Sequence, residues 1–443
     1  MDALERLAEP ALELRDAEGV EVVVHRRTSG LTRFANSQVH QNVWTDDVAV
    51  VVRVVAEGGR VGVVGVGTED PAEVALAASR ALAAARVAPE DPDFPGLAPA
   101  APVGAVSVDD ATAAATPGDR AAAVRALLAE VPPGHEAAGA YETAGAERGV
   151  VTSAGQAATA RHSSAALSVV VTGPASSGWA EASGRAMADL DPAGAGRRAA
   201  AKALAGASPR DVDPGTWPVI LEPPAVATLV EFLAYLGFGG RAWLEERAFT
   251  SGRLGERALD PALTIVDDAT APETLGWPFD HEGTPARRVD LVRDGVLAGV
   301  VHDRTTAAAA GTTSTGHAQP AASTDGPLAA HPLLLPGDGG TVEDLVAGCE
   351  RGLLVTRFHY TNVVRPMEAV LTGMTRDGTF LVEDGRVVGA VRNLRFTQSA
   401  LAALARVEAV STETGSGADV FAGSRAPALR LPAVTFTSAT TFA

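Results

Sequence analysis

The sequence predicts an α+β protein in which N-terminal α/β units are followed by a large β-rich C-terminal domain. Three observations carry this prediction. Runs of β-branched residues alternate with short alanine-rich helical stretches up to about residue 213. After Pro214-Gly215 a single longer helical stretch remains, over 224–236, and the rest reads as strands between Gly- and Pro-rich turns. Two Asp-Gly pairs in that last segment are flanked by alternating apolar residues, the pattern of tight hairpins.

Taken in order, Leu4, Leu7, Ala11, Leu12 and Leu14 give residues 1–17 an apolar stripe at helical spacing. Strands are expected over 20–27, 30–44 and 48–55, with Glu57-Gly58-Gly59-Arg60 turning the chain into a strand over 61–67. A helix with Pro71 in its first turn runs over 71–86. These elements make a first α+β domain, 1–86. Residues 87–118 hold Pro, Ala and Asp without a period and read as a linker. A second domain, 119–213, has a helix near 120–130, strands near 139–148, 149–158 and 163–172, and a helix over 191–205. The third domain, 214–443, contains the hairpins at Asp294-Gly295 and Asp384-Gly385.

Composition limits function. With 46% apolar and 20% charged residues the chain can bury a large core. No apolar run approaches the ~18 residues of a membrane span, so no membrane partner is expected. Met1 to Arg6 is acidic and helix-like, without the basic and apolar regions of a signal peptide, which points to the cytoplasm. The formal charge of −18 repels a phosphate backbone, so no nucleic-acid partner is expected. The lone Cys349 forms no internal disulfide and no Cys-rich metal site. It is read as a small core residue on a helix with Val342, Leu345 and Val346.

Several short segments, in order, are similar to those of the TldD/PmbA metallopeptidase-related family. They are Leu31-Thr-Arg-Phe-Ala-Asn-Ser-Gln-Val-His40, Ser176-Ser-Gly-Trp179, Ser251-Gly-Arg-Leu-Gly-Glu256, Leu263-Thr-Ile-Val-Asp-Asp268, Pro278-Phe-Asp-His-Glu-Gly-Thr-Pro285, Leu297-Ala-Gly-Val-Val-His-Asp-Arg304 and Ser314-Thr-Gly316. The order and spacing of these pieces carry the resemblance, which extends over nearly the whole chain. It implies the family's fold and two kinds of member. TldD-like chains hold zinc through His-Glu-x-x-x-His on a helix and a Cys near the C-terminus. PmbA/TldE-like chains lack that site and resemble a partner subunit. Together they act on unfolded or modified peptides.

That chemistry needs two imidazoles and a third ligand on Zn²⁺, with a carboxylate to activate the bound water. An i, i+5 pair lies about 140° apart on a regular helix, so convergence on one ion needs a local distortion. Counting back from Ser251-Gly252, the resemblance places the first His at Glu231, the Glu at Phe232 and the second His at Leu236. The stretch Val420-Phe-Ala-Gly-Ser-Arg425 offers no Cys. No metal site, no catalytic residue and no cofactor are therefore expected, and Glu231 is expected to pair with Arg241 or Arg253.

The resemblance then implies a non-catalytic TldE-like subunit that helps hold a peptide for a zinc-bearing, TldD-like partner. A homodimeric peptide-binding module is an alternative. So is a metallopeptidase active alone through a relocated metal at His302, Asp303, His317, His331 or His359. The plainer reading has His302 and Asp303 fix the hairpin by local hydrogen bonds, and His135-Glu136 and His281-Glu282 lie in polar turns. No Gly-x-Ser-x-Gly elbow is present, and Gly62-Val-Val-Gly-Val-Gly67 is not a dinucleotide fingerprint.

Overall fold

The computed structural model describes residues 2–417 and 423–439. The chain runs through α1 (Asp2–Leu12), β1 (Gly19–Ala35), β2 (Gln38–Ala56), β3 (Arg60–Val66), α2 (Pro71–Ala85), α3 (Asp110–Ala113), α4 (Pro117–Leu128), β4 (Glu136–Thr152), β5 (Ala157–Thr172), β6 (Ser177–Gly184) and α5 (Pro192–Ala205). It continues with β7 (Gly215–Leu221), α6 (Pro223–Gly237), α7 (Gly240–Leu244), β8 (Ile265–Asp267), β9 (Val289–Arg293), β10 (Val296–Leu297), α8 (Arg304–Ala309), β11 (Pro332–Leu334) and α9 (Val342–Ala347). The last elements are β12 (Arg351–Arg365), β13 (Val370–Glu383), β14 (Arg386–Ala390), β15 (Leu394–Ser399), α10 (Ala400–Leu404), β16 (Ala409–Gly417) and β17 (Ser424–Ala439).

The strands of the first and second sequence domains share one antiparallel sheet, ordered β3-β2-β1-β4-β5-β6. β1 pairs with β4 from Glu21 opposite Thr152 to Phe34 opposite Gly139. The division at 87–118 therefore falls across two halves of one sheet. Such long-range pairing leaves no local sequence signal. The segment 87–118 is also tied down: Thr152 Oγ1 donates to Ala98 O, Ala101 N to Gln156 Oε1 and Asp109 N to Ser163 Oγ. Its end supplies Thr116, which caps α4 in a reciprocal box with Asp119.

β4 is one strand where the sequence suggested a break at Gly149. A side chain there would place its Cβ 2.4 Å from Leu4 Cδ2, so Gly149 admits α1 onto the sheet rather than turning the chain. Alternate residues of β1 face opposite ways. Val20, Val22 and Val24 pack under α1 and α2, while Val23 packs with Val150, Ala158 and Phe279 of the C-terminal domain. The first sheet is thus a platform with helices on one face and the C-terminal domain on the other.

The C-terminal domain is built on an eleven-stranded mixed sheet. Pairing of β17 with both β15 and β7 closes β7, β12, β13, β15 and β17 into a ring. Against it packs α6, whose side chains Ala225, Val226, Leu229, Val230 and Leu233 are buried with Val219, Leu353, Leu371 and Leu431 in the main core. Both Asp-Gly turns form with φ > 0 at each central residue: 49° and 76° at Asp294-Gly295, 48° and 72° at Asp384-Gly385. Helix α9 stops at Ala347, with Gly348 as its cap, so Cys349, expected on this helix, lies just beyond its end. The thiol still packs in a core cluster with Leu345, Val346 and Phe380.

Candidate functional site

Helix α6 begins after Glu222 with two prolines, which suit a first turn because they carry no N–H to be left without an intrahelical acceptor. It is a regular helix to Gly237, so positions 231 and 236 stand about 140° apart. Glu231 is fully buried, whereas Phe232 and Leu236 pack half-buried against the main core. The Glu231 carboxylate accepts from Ser424 Oγ at the start of β17, and the same hydroxyl lies 2.9 Å from Gly417 O at the end of β16. Arg241 pairs with Glu245 and Arg253 with Glu256. The expected arginine partners of Glu231 are thus engaged by glutamates four and three residues along, while Glu231 itself faces inward toward β16 and β17.

One carboxylate, one phenyl ring and one isobutyl group on diverging faces do not fit a zinc site that needs two imidazoles and a base. Val420, Phe421 and Ala422, from the stretch compared with the third ligand, lie outside the described residues. Among the described residues no group of three or more His, Cys, Asp or Glu side chains is arranged to hold a metal ion.

The histidines named from sequence are divided among several tasks. His317 Nε2 meets Asp267 Oδ1 at 2.8 Å, and the other oxygen of Asp267 accepts from the backbone of His331 at 2.7 Å. Burial opposes charge on both members, yet their mutual attraction holds Asp267 below the usual carboxylate range and His317 above the usual imidazole range. His302 Nδ1 lies 3.2 Å from Thr306 Oγ1, and its backbone is bound to Thr315 rather than across the hairpin. Asp303 caps α8 through Thr306. His359 lies apart on β12 against the ring of Tyr360.

The His281-Glu282 turn is buried between the domains rather than solvated. Arg53 of β2 bridges Glu21 at 2.6 Å and Glu282 at 3.2 Å. Burial raises the Glu21 pKa, with Arg53 pulling the other way, and the two carboxylates hold the Arg53 proton against its own burial. Glu282 also accepts from the backbone of Arg304, whose side chain reaches Pro95 O and Gly96 O. Sequence reading missed this hub; its one signal was Glu21, a charge inside the run Val20-Glu-Val-Val-Val24.

A cleft of about 590 Å³ lies between the platform and the C-terminal domain. Its walls include Trp179 and Glu181 of β6, Arg198 and Lys202 of α5, and Glu222 and Pro223 where α6 starts. Strand β16 contributes Thr414, Gly415 and Ser416. β6 is the last strand of the first sheet, and β16 pairs on one side with β17. Two sheet margins therefore border the same cleft, and Glu231 lies one layer behind β16. Arg425 joins the walls by donating to Ser183 O and Glu273 O.

Known proteins match this architecture. Residues 214–438 match the family described as the PmbA/TldA metallopeptidase C-terminal domain, and residues 20–85 match PmbA/TldA metallopeptidase domain 1. A metalloprotease TldD homolog of Haemophilus influenzae is 24% identical over 255 residues, 54% of this chain and 52% of that protein. Metalloprotease PmbA of Escherichia coli O157:H7 is 29% identical over 208 residues, 46% of this chain and 43% of that one. The matched stretches thus span about half the length of these curated relatives or less. The fold is shared with TldE from Thermococcus kodakarensis at a TM-score of 0.90, over 98% of this chain and 100% of that one, with 20% identity.

Proposed function

This chain belongs to the TldD/PmbA (PmbA/TldA) metallopeptidase family, and from that premise we propose that it is a non-catalytic, TldE/PmbA-like subunit of a cytoplasmic peptide-processing protease. Its zinc-bearing partner would be a TldD-like chain that performs hydrolysis of unfolded or modified peptides. The observation that carries this reading is the inward-facing Glu231, engaged by Ser424; the resemblance puts Phe232 at the next position, that of the catalytic base. No step of hydrolysis can be assigned to these three positions.

Peptide holding is supported by the cleft between β6 and β16. A sheet margin offers main-chain N–H and C=O groups to an extended chain and reads its shape more than its sequence. The walls carry both signs, with Lys202 paired to Glu222 and with Glu181, Glu343 and Glu413 nearby, so that side chains of either charge meet a partner.

The test is reconstitution. The chain alone, loaded with zinc and desalted, is expected to keep less than stoichiometric metal and to leave an unfolded peptide intact. Mixed with a TldD-like chain it is expected to form a stable complex that cleaves the peptide. Cleavage by the chain alone, with stoichiometric zinc lost on His302→Ala or His359→Ala, would sink the proposal.

A further inference from the structure

On the platform face turned toward the C-terminal domain, His25 of β1 stands opposite Arg148 of β4, and His162 of β5 follows one row along the same face. The indole of Trp277, from the C-terminal domain, is set among them. Arg148 Cζ lies 4.5 Å from the indole centroid, His162 stacks on it at 5.1 Å, and His25 meets its edge at 5.8 Å. At the adjacent residue, Gly276 O accepts from Arg185 Nη2 at 2.9 Å.

Among the described residues no carboxylate pairs with either guanidinium group. Arg148 is 9% exposed and Arg185 5%. Arg148 Nε and Arg185 Nη1 are buried without an acceptor, and among the described residues neither arginine forms an ion pair. Arg120, equally buried, also leaves one nitrogen, Nη2, without an acceptor, but it donates through Nε and Nη1 to Thr32, Thr143 and Ala115 O. Asp280 is the carboxylate that acts on Arg148 through space. Its oxygens are occupied by the backbone N–H groups of Glu282, Thr284 and Ala318 at 2.9 Å each. The indole face offsets only part of the cost of taking a guanidinium out of water. Burial lowers the Arg148 pKa to about 10, and burial together with Arg185 and Arg148 takes His162 down to about 4. The first shift records burial of the guanidinium against the pull of Asp280; the second records burial of the imidazole, to which Arg185 and Arg148 add.

We propose that Arg148 and Arg185, with Trp277 beside them, form a binding site for a small oxyanion at the seam between platform and C-terminal domain. Guanidinium groups offer paired N–H donors that match the oxygens of a phosphate or a carboxylate. The anion would supply the acceptors that Arg148 Nε and Arg185 Nη1 lack. It would also favour a proton on His162 Nδ1, since Nε2 of that ring already lies 3.0 Å from Leu275 O. Inorganic phosphate and the C-terminal carboxylate of a peptide share this chemistry. The site stands on its own geometry and does not depend on the subunit reading above.

The full chain is titrated with inorganic phosphate against chloride at equal ionic strength, and separately with N-acetyl-dialanine bearing a free or an amidated C-terminus. The expected result is a saturable rise in Tm and an upward shift of the His162 pKa, read by NMR, of at least about one unit. Arg148→Met and Arg185→Met should abolish both, and Arg148→Lys should weaken binding about tenfold by losing the forked donor. A response to phosphate assigns the site to a free oxyanion, and a response to the free-carboxylate peptide alone assigns it to peptide termini. No saturable response to either probe, or one that survives both methionine variants, overturns the proposal. Should a variant not fold, the wild-type His162 pKa decides, and a value unmoved by both probes overturns it.

Discussion

Ser424 Oγ lies within hydrogen-bonding reach of the fully buried Glu231 carboxylate and of Gly417 O, so one hydroxyl ties α6 to the ends of β16 and β17. Removing it leaves a buried carboxylate short of a donor. Ser424→Ala is expected to cost about 1.5–3 kcal/mol, the range for hydrogen bonds to charged groups. Urea denaturation measures this, and a loss below about half a kcal/mol would show that Glu231 draws its stability from elsewhere.

The same junction can be strained from the other side. A Cβ on Gly417 would lie 2.2 Å from Ala227 Cβ on α6. Gly417→Ala must push the helix away from β16, at about 1–3 kcal/mol for an overpacked core contact. Displacing α6 also loosens Glu231 from Ser424, so Gly417→Ala and Ser424→Ala should be non-additive in a double-mutant cycle. Additive losses would mean that helix and hydroxyl act independently.

Local chemistry explains which parts of this fold could be read from sequence. The turns at Asp294-Gly295 and Asp384-Gly385 were legible because the φ > 0 positions demand those residue types. Helix α6 was legible within a residue at each end. The burial of Glu231 against Ser424 was not, because Ser424 is 193 residues away. Gly149 looked like a break because close approach and turning demand the same residue. Arg53 with Glu282, and Arg148 with Trp277, join the platform face to loops of the C-terminal domain, and no spacing rule links them.

Arg53 holds two buried carboxylates, Glu21 at 1% exposure and Glu282 at 7%. Arg53→Met would leave both unpaired, an expected loss of about 3–5 kcal/mol at neutral pH. The penalty belongs to the charged carboxylates, and the pKa of Glu21 is already raised by burial even with Arg53 in place. The deficit should therefore shrink as pH falls and Glu21 takes up a proton. Paired denaturation curves at pH 7.5 and 5 test this, and a deficit equal at both would locate it in lost packing.

The seam between platform and C-terminal domain should set the acid limit of the fold. Burial, with Arg185 and Arg148, lowers the His162 pKa to about 4, and burial with Arg148 and His25 lowers that of His281 to about 3, from an ordinary 6.5. The unfolded chain therefore gains these protons first as pH falls below 6.5. Each imidazole contributes stability that is complete above 6.5 and lost toward its folded pKa, at no more than about 1.4 kcal/mol per pH unit. Asp280 opposes them: burial and Glu282 raise its pKa to about 7, so its protonation favours the folded state as pH falls from 7 toward 4. His162→Gln and His281→Gln should each flatten the loss between pH 6.5 and 4, while Asp280→Asn should steepen it. Thermal midpoints across that range give the slopes, and parallel curves for wild type and both histidine variants would place the acid limit outside the seam.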